Sequence, residues 1–497
     1  MKSLSEGMHV TTNNLANCST IGFKSQMALY SDLIYEEQAN PGEWNFNQEN
    51  SQIAVGQHGM GVRVDEIATN FTQGALESTN ATSDLAISGK GYFVVQNEYG
   101  KTFYTRAGDF IVDNEGTMRN PAGLTLMGYQ TGTTSNSSSS SNANNSSSNQ
   151  LQPINLDNFK TLSPKATSKI SVTDTNVVPS SNVSMNEANP WFSMLSGYDA
   201  TTGVGLGSSQ YSNSQSVNIY DGKGQPHQVT IYYDGTQDST DGFSVEFLVA
   251  EDLEEAGTNA GDGLLMSGVL QFDSAGQLAN IAAYTPTQAG STDLDDWAQA
   301  SVSKDGYPQF SYNGKMVSMD FGITSKTTTV NRNATAADVG TNKNRLATLD
   351  KPSTGKAGIT GYNSSGFTDS ISQNGYAEGQ LSNYQIDNNG KVYGNFSNGE
   401  SRELWQIPLA RFTSDDGLMR AGGNLFAATS EAGTITLGAA GSENFGTIES
   451  HYIEQSNVDI ANEMVTMIIT QRGFQSNSKV VTTSDEMLRT AINLKQR

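Results

Sequence analysis

The residues that most often carry chemistry in proteins are few and scattered in this chain. The four histidines, His9, His58, His227 and His451, lie far apart, and none takes part in the His-Glu-x-x-His spacing that binds zinc on a helix. Cys18 is the only cysteine, which excludes a disulfide framework and a thiolate zinc cluster within one chain. These residues therefore predict neither a metal site nor any other cofactor.

Candidate phosphate and calcium loops also depart from the patterns they would need. Gly89-Lys90-Gly91 has Asp84 where a P-loop requires its first glycine, and no hydroxyl residue follows the lysine. The segment Asp387–Gly390 aligns with a calcium-binding loop only if Gln385 and Phe396 occupy positions that require Asp and Glu. We therefore interpret this segment as a turn, expect no catalytic residues, and predict that the chain is not an enzyme.

The composition excludes further classes of function. The chain has 497 residues, a length that fits several domains, and its 28 Lys and Arg against 51 Asp and Glu leave a formal charge of −23. Such a chain is a poor partner for nucleic acid or for anionic lipid. No apolar run is long enough to cross a membrane, so no membrane insertion is expected, and the first residues suggest no cleavable secretory signal.

The C-terminal part of the chain predicts one long helix. Ser456–Asp459 is a capping pattern, and from there apolar residues recur at alternating steps of four and three, with polar interruptions at Gln471, Ser478 and Asp485. This spacing is typical of a coiled-coil seam. The apolar seam positions are Ile460, Met464, Met467, Phe474, Val481, Leu488 and Ile492.

A shorter helix is predicted at the N-terminus. Leu4, Met8 and Leu15 share one face at helical spacing, and the helix is expected to end between Asn17 and Gly22. An apolar stripe on a helix must be covered, either by the body of the chain, by the other end helix or by other copies. We predict that the two end helices pair as a coiled coil and that their apolar positions form a polymerisation site.

The middle of the chain predicts antiparallel hairpins. Strand-like runs such as Phe243–Val249 are punctuated by Asp-x-x-Gly turns. The predicted fold class is a mainly β multi-domain body with helical ends. Its expected domains are a helical domain (1–25 plus 455–497), an extended connector (26–70), an inner β-domain (71–154 plus 361–454) and one or two inserted outer β-domains (155–360). Thr134–Asn149, almost wholly Ser, Asn and Thr, is expected to be a disordered loop.

Three blocks of the chain resemble the bacterial flagellar rod and hook proteins. They are the N-terminal segment 7–24, the segment 84–110 and the C-terminal block 449–494. The N-terminal block carries a very specific motif, Asn-Asn-Leu-Ala-Asn followed by Thr-x-Gly-Phe-Lys. The motif residues are Asn13, Asn14, Leu15, Ala16, Asn17, Thr20, Gly22, Phe23 and Lys24. Members of this family are expected to carry additional residues ahead of the stretch that matches Met1–Leu4.

The resemblance implies a structural subunit of the flagellum. The long insertion between the flanking blocks resembles the hook member more than the shorter rod members. The family implies export through the flagellar type III apparatus without a cleavable signal peptide, and an extracellular place in the basal body and hook. It also implies self-assembly into a curved tube that joins rod to filament and transmits torque for motility. The implied partners are further copies, the distal rod, the hook cap and the hook–filament junction proteins.

Two alternatives remain open from the sequence. A distal rod subunit would share the end motifs, although the length of the chain argues against it. A secreted β-rich enzyme or adhesin would require a clustered acid–base or metal site, and the sequence shows none.

Overall fold

The computed structural model describes residues 2–33, 35–37, 57–59, 61–131, 150–173, 175–178, 183, 186–236, 243–253, 257–327, 335–355, 358–362 and 370–495. The Ser/Asn-rich segment that is expected to be disordered lies outside these residues. Within them the chain forms helices α1 (Lys2–Ala16), α2 (Ser193–Gly197) and α3 (Ile460–Lys495), with short strands between the first and the last. A mainly β chain with an N-terminal and a C-terminal helix is confirmed.

The strands from the N-terminal third are β1 (Gln26–Asp32), β2 (Tyr35–Glu37), β3 (Gln57–Gly59), β4 (Val62–Thr69), β5 (Leu76–Ser78), β6 (Leu85–Ser88), β7 (Tyr92–Gln96), β8 (Thr102–Thr105), β9 (Ile111–Val112), β10 (Met118–Arg119), β11 (Thr125–Gln130), β12 (Gln152–Pro153) and β13 (Thr161–Leu162). The central strands are β14 (Lys169–Val172), β15 (Asn213–Tyr220), β16 (Pro226–Gly235), β17 (Phe243–Glu251), β18 (Leu264–Phe272), β19 (Leu278–Pro286), β20 (Trp297–Gln299), β21 (Ser301–Val302), β22 (Pro308–Tyr312), β23 (Lys315–Asp320), β24 (Ile323–Ser325), β25 (Pro352–Thr354) and β26 (Ile371–Gln373). The C-terminal strands are β27 (Gly379–Ile386), β28 (Lys391–Phe396), β29 (Ser401–Gln406), β30 (Pro408–Phe412), β31 (Met419–Gly422), β32 (Leu425–Ala427), β33 (Ile435–Ala439), β34 (Thr447–Ser450) and β35 (Tyr452–Glu454).

The chain divides into two compact units. The first contains Met1–Thr161 and Leu381–Arg497, and the second is the inserted stretch Leu162–Gln380. The first unit closes on itself where the insertion begins and ends, because the backbone N–H of Leu381 donates to the Lys160 carbonyl at 2.9 Å. The finer division into four domains stays a prediction.

The inserted unit is built on a six-stranded antiparallel sheet, β15 to β20 in chain order. One face shares a core with the five-stranded sheet β21-β22-β23-β14-β26, where Phe247 packs in one cluster with Phe310 and Val317. The other face is covered by a second cluster that includes Trp191 and Trp297. Because both faces are buried, β17 is apolar along most of its length instead of alternating with polar residues.

The buried carboxylate of Glu246 binds the start of helix α2 to this sheet. The side chain of Glu246 on β17 is almost fully buried and accepts hydrogen bonds from the backbone N–H groups of Ser193 and Met194 at 2.9 and 3.0 Å. Burial raises the pKa of Glu246 to about 8, against the backbone hydrogen bonds that lower it, and Asp234 lies opposite in the strand register. The folded unit therefore holds a proton that the unfolded chain releases.

This raised pKa predicts a pH dependence of the inserted unit. Between about pH 4.5 and 8 the folded state binds more protons than the unfolded state, so the free energy of unfolding should fall as the pH rises through that window. Amide hydrogen exchange of β16 to β18 measures this change. In Glu246→Gln the fall should be reduced, while Glu187→Gln at an exposed position should behave as the parent. If the free energy of unfolding of Glu246→Gln depends on pH as strongly as that of the parent, the raised pKa does not belong to Glu246.

The Asp-x-x-Gly turns form as the sequence predicts. At Asp113–Gly116 and at Asp387–Gly390 the glycine N–H donates to the aspartate carbonyl at 3.0 and 2.9 Å, and the glycine has a positive φ of 74° and 78°. The aspartate side chain accepts further backbone N–H groups, which include Thr117 N at 2.8 Å from Asp113 Oδ1. These turns connect antiparallel strands, so local chemistry fixes the register of β27 on β28.

The first unit carries its core on an extended antiparallel sheet. β7 pairs with β8, β11 and β30, and β32 pairs with β8. Aromatic rings pack edge to face on this sheet, with Tyr104 and Phe412 at 4.8 Å between centroids and Phe93 and Phe110 at 5.4 Å.

Candidate assembly site

Helix α3 begins where the capping pattern places it. Asp459 Oδ1 accepts the backbone N–H groups of Ala461 and Asn462 at 2.9 and 3.2 Å, and the helix starts at Ile460. The aspartate thus satisfies two of the free donors at the helix start and places a negative charge at its positive end. The predicted start of this helix is confirmed.

Helix α1 lies antiparallel to the first half of α3. Asn14 Nδ2 donates to Glu463 Oε1 at 2.8 Å, and ten residues earlier the side chain of Leu4 lies beside Gly473. At 1.5 Å per residue α1 is about 22 Å long and α3 about 54 Å. The distal half of α3 therefore extends beyond α1.

The predicted seam divides accordingly into a half-buried part and an exposed part. Leu4, Met8, Leu15, Met467 and Phe474 are half-buried. The other seam positions are 42–60% exposed, namely Ile460, Met464, Val481, Leu488 and Ile492. From 481 to 493 every side chain is exposed. An apolar surface of this length that no described residue covers is typical of an interaction site.

The face of α1 that the chain buries was not predicted. It consists of Gly7, Val10, Thr11 and Asn14, and it packs on an antiparallel ribbon formed by β1 and β4. A Cβ atom at Gly7 would collide with the hydroxyl of Tyr30 on β1. The spacing of these residues is helical, but Val10 is the one apolar side chain among them, so hydrophobic periodicity alone does not select this face.

Asn14 connects three elements at once. Besides its bond to α3, its Nδ2 donates to the Gln26 carbonyl at 2.7 Å, and its Oδ1 accepts the Gln26 N–H at 2.9 Å. The Asn14 amide therefore pairs with the backbone of Gln26 as a neighbouring strand would. In this way it connects α1 to both the ribbon and α3. In the same motif Asn17 Nδ2 donates to the Asn13 carbonyl, and Asn17 Oδ1 accepts from Thr20 Oγ1, which closes the turn after α1.

Gly22 of the motif occupies a place that no other residue fits well. Its φ is +66°, its N–H donates to the Glu454 carbonyl at 2.7 Å, and a Cβ there would lie 2.5 Å from the backbone nitrogen of Ala107. Both the left-handed backbone and the close approach to another chain segment therefore require glycine.

We expect Gly22→Ala to destabilise the first unit by about 1–3 kcal/mol more than Gly123→Ala. Gly123 is the matched control, because it also has a positive φ, of 83°, yet its Cβ would point into open space. Chemical denaturation of both variants measures the difference. Equal losses would show that backbone conformation alone, and not the contact with residue 107, requires the glycine at 22.

A buried group of charges lies at the base of the helices. Glu454, at 0% exposure, accepts from Lys24 Nζ at 2.5 Å and from Arg106 Nη1 at 3.3 Å. Lys24 also donates to the Thr72 carbonyl at 2.7 Å. Burial lowers the pKa of the Lys24 ammonium, and the neighbouring Glu454 carboxylate opposes that shift. We call these three residues the ion cluster.

Each member of the ion cluster comes from a different block of the sequence. Lys24 ends the N-terminal motif, Arg106 follows β8, and Glu454 ends β35 just before α3. Arg106 is further held by its Nη2 bond to the Gly89 carbonyl at 2.8 Å and by its place over the ring of Tyr92. The ion cluster thus joins the segment after α1 and the segment before α3 to the end of β8.

Polar contacts outside the ion cluster complete this junction. Asn457 Oδ1 accepts the Ser25 N–H at 2.7 Å. Arg420 Nη2 donates to the Lys24 carbonyl, and its guanidinium lies 4.8 Å from the centre of the Phe23 ring. Except for Ala16, whose side chain has no role here, the motif residues therefore serve helix packing, chain turning or this junction. The arrangement can mount helices but shows no reaction chemistry.

The described residues contain no group of three or more His, Cys, Asp or Glu side chains that could hold a metal ion. None of the described helices is long and apolar enough to span a membrane. The feature that remains to be explained is the apolar surface of α3.

Family models match three parts of the chain. Residues 86–178 match the D1 domain of the flagellar hook protein FlgE/F/G, residues 199–376 the D2 domain of the flagellar basal body protein FlaE, and residues 449–494 the C-terminal region of the flagellar basal body rod FlgEFG proteins. Together with helical ends on a β body, these matches define a structural protein of the flagellar rod and hook class, which is not an enzyme family. The second match covers most of the inserted unit.

Full-length relatives identify the member. The chain is 30% identical to the flagellar hook protein FlgE of Salmonella typhimurium, over 100% of this chain and 98% of that protein. It is 28% identical to the protein of the same name in Treponema pallidum over 98% and 96%, and 27% identical to that of Escherichia coli over 100% and 98%. The chain belongs to the flagellar hook protein FlgE family, and its role is that of a structural subunit of the bacterial flagellar hook.

A solved structure gives a weaker likeness. The crystal structure of Helicobacter pylori flagellar hook protein FlgE2 aligns with 76% of this chain at 15% identity and a TM-score of 0.48.

Proposed function

We propose that the chain polymerises through the apolar surfaces of its end helices into the curved tube of the hook. The observation that supports this proposal is the exposed apolar surface of α3, which extends beyond α1 and has no cover among the described residues of the chain. Burial of this surface between copies would contribute about 25 cal/mol for each Å² of apolar area removed from water.

The helices form the inner layer of the tube in this proposal. The helical domain 1–25 plus 455–497 lines the channel, with α1 and α3 paired as a coiled coil, and 26–70 connects it to the β-domains. The inner β-domain 71–154 plus 361–454 and the inserted outer part 155–360 surround it. The ion cluster supports this arrangement, because it joins the segments next to both helices to each other through one buried carboxylate.

We further propose an extracellular place for the polymer. The subunit leaves the cell through the flagellar type III export apparatus without a cleavable signal peptide, and its tube joins the distal rod to the filament. The ends of the tube contact the rod, the hook cap and the hook–filament junction proteins. The tube transmits torque while it bends, and no nucleic acid or membrane insertion is involved.

Electron microscopy of assembled material tests the proposal. The purified chain, or hooks isolated from cells that produce it, should show curved tubes. Straight rods would indicate a rod subunit instead, and a chain that stays monomeric at high concentration would contradict polymerisation.

A further inference from the structure

The chain contains four Asn-Gly pairs, a dipeptide whose own backbone can attack its side chain. Asparagine is a thermolabile residue, and a following glycine favours the attack because it has no Cβ to hinder the approach of its backbone nitrogen to the asparagine Cγ. The reaction requires a glycine N–H that can release its proton and an amide that can turn towards it, so hydrogen bonds to either group slow it. The pairs are Asn313–Gly314, Asn374–Gly375, Asn389–Gly390 and Asn398–Gly399.

At three of these pairs the fold holds the nitrogen that would attack. The glycine N–H donates to a group two or three residues earlier in the chain, at 2.5 to 3.0 Å. The amide is held as well at two of them, since Asn374 Oδ1 accepts the Ser168 N–H at 3.0 Å and Asn398 Oδ1 accepts the Glu400 N–H at 3.1 Å. The glycines with a bonded N–H are Gly375, Gly390 and Gly399.

The fourth pair differs, because the N–H of Gly314 forms no hydrogen bond with any described residue. Asn313 and Gly314 make the two-residue turn between β22 and β23, and their φ values of 46° and 73° are of the sign that a type I′ hairpin turn requires. Both residues are exposed, and even a Cβ atom on Gly314 would meet nothing within 4 Å. The Asn313 amide lies beside the Tyr312 hydroxyl. Of the four pairs, this one alone presents an unpaired nitrogen on an exposed turn.

We propose that Asn313 is a site of spontaneous deamidation in the folded chain. A base in the solvent removes the proton from the Gly314 nitrogen, which forms a bond to Asn313 Cγ. The bond from Cγ to Nδ2 then breaks, and the amide group takes up a proton and leaves as ammonia. Water opens the resulting succinimide ring at either of its carbonyls and gives aspartate or isoaspartate. Water is the one co-reactant, and the reaction does not depend on polymerisation.

The modification changes both the charge and the backbone at this turn. The Tyr312 hydroxyl beside Asn313 donates to Glu251 Oε1 at 2.7 Å, so the new carboxylate at residue 313 arises next to an acidic group that is already in place. Isoaspartate also adds one atom to the backbone of a turn that joins directly paired strands, with Tyr312 opposite Lys315. Deamidation therefore adds a negative charge and alters the turn at the end of one hairpin of the inserted unit.

Peptide mapping by mass spectrometry tests the proposal. The full chain is incubated at mildly alkaline pH in the folded state, an equal sample is incubated in denaturant, and the loss of the amide at each Asn-Gly pair is followed in time. In the folded chain Asn313 should lose its amide several-fold faster than the other three asparagines. In denaturant the four rates should become similar, because the dipeptide is the same and the fold no longer holds three of the glycine nitrogens. Circular dichroism shows whether the first sample stays folded.

The products and one variant identify the route. Chromatography should separate aspartate and isoaspartate forms of the peptide that contains residue 313, whereas direct hydrolysis of the amide would give aspartate alone. Asn313→Gln, whose longer side chain places the amide carbon one bond further from the Gly314 nitrogen, should abolish the reaction at this turn and leave the other three rates unchanged. If Asn313 is not the fastest site in the folded chain, if its lead persists in denaturant or if only aspartate forms, the proposal is overturned.

Discussion

Glu454→Gln should lower the free energy of unfolding of the first unit by about 3–5 kcal/mol. The substitution keeps the shape of the side chain but removes the one anion between Lys24 and Arg106, whose side chains are 1% and 6% exposed. Two buried cations would then lie close together without a counter-charge, and neither can reach water. Chemical denaturation, followed by circular dichroism, measures the loss.

The same substitution nearby provides the control. Glu449→Gln on β34 alters a half-buried carboxylate whose partner among the described residues is Thr447 Oγ1 in the same strand, so we expect a loss below about 1 kcal/mol. If both variants lose equally little, the ion cluster does not hold the junction, and the helices must be mounted by the surrounding backbone contacts alone.

Leu488→Lys should abolish polymer growth while the monomer remains folded. Leu488 is 59% exposed in the single chain, so a lysine there meets water and costs little. In the polymer the same ammonium would be buried in an apolar seam, at a cost of about 3 kcal/mol or more per contact, which is roughly a hundredfold in affinity. Light scattering of assembling protein measures this, with circular dichroism as the check on folding.

Two variants serve as controls for this prediction. Leu488→Met keeps an apolar side chain of similar volume and should assemble as the parent does. Glu486→Lys introduces the same residue away from the seam, where assembly should be much less affected. A Leu488→Lys chain that forms tubes at the parent concentration would show that the distal seam is not an interface between copies.

The helices were predictable because their signals are local. A capping aspartate and a repeat of apolar residues lie within a few turns of one another, so the start of α3 follows from the sequence alone. The Asp-x-x-Gly turns were predictable for the same reason, since the aspartate bonds to backbone groups two and four residues away.

The junction could not be predicted from spacing, since its members are far apart in sequence. The Lys24–Glu454 bond joins residues 430 positions apart, and the Arg106–Glu454 bond joins residues 348 apart. The resemblance to flagellar proteins did single out the three blocks that contain them. Only the fold shows that each block supplies one charge to the same buried point.

The buried face of α1 was missed for a different reason. Hydrophobic periodicity selects Leu4, Met8 and Leu15, yet the buried face contains a single apolar side chain, Val10, beside Gly7 and Asn14, which bury little apolar area. Here the close approach of two backbones and the hydrogen bonds of one amide stabilise a contact that large apolar side chains stabilise at most helix interfaces.

The hydrogen bond between Leu381 and Lys160 makes the inserted unit a side branch of the chain. The backbone leaves at one point and returns to the same point, so the strands that follow keep their pairing whatever lies between. A chain with residues 162–380 excised and the cut ends rejoined by a short turn would preserve the ion cluster and both helices. The length of this branch can therefore change without altering the ion cluster that holds the helices.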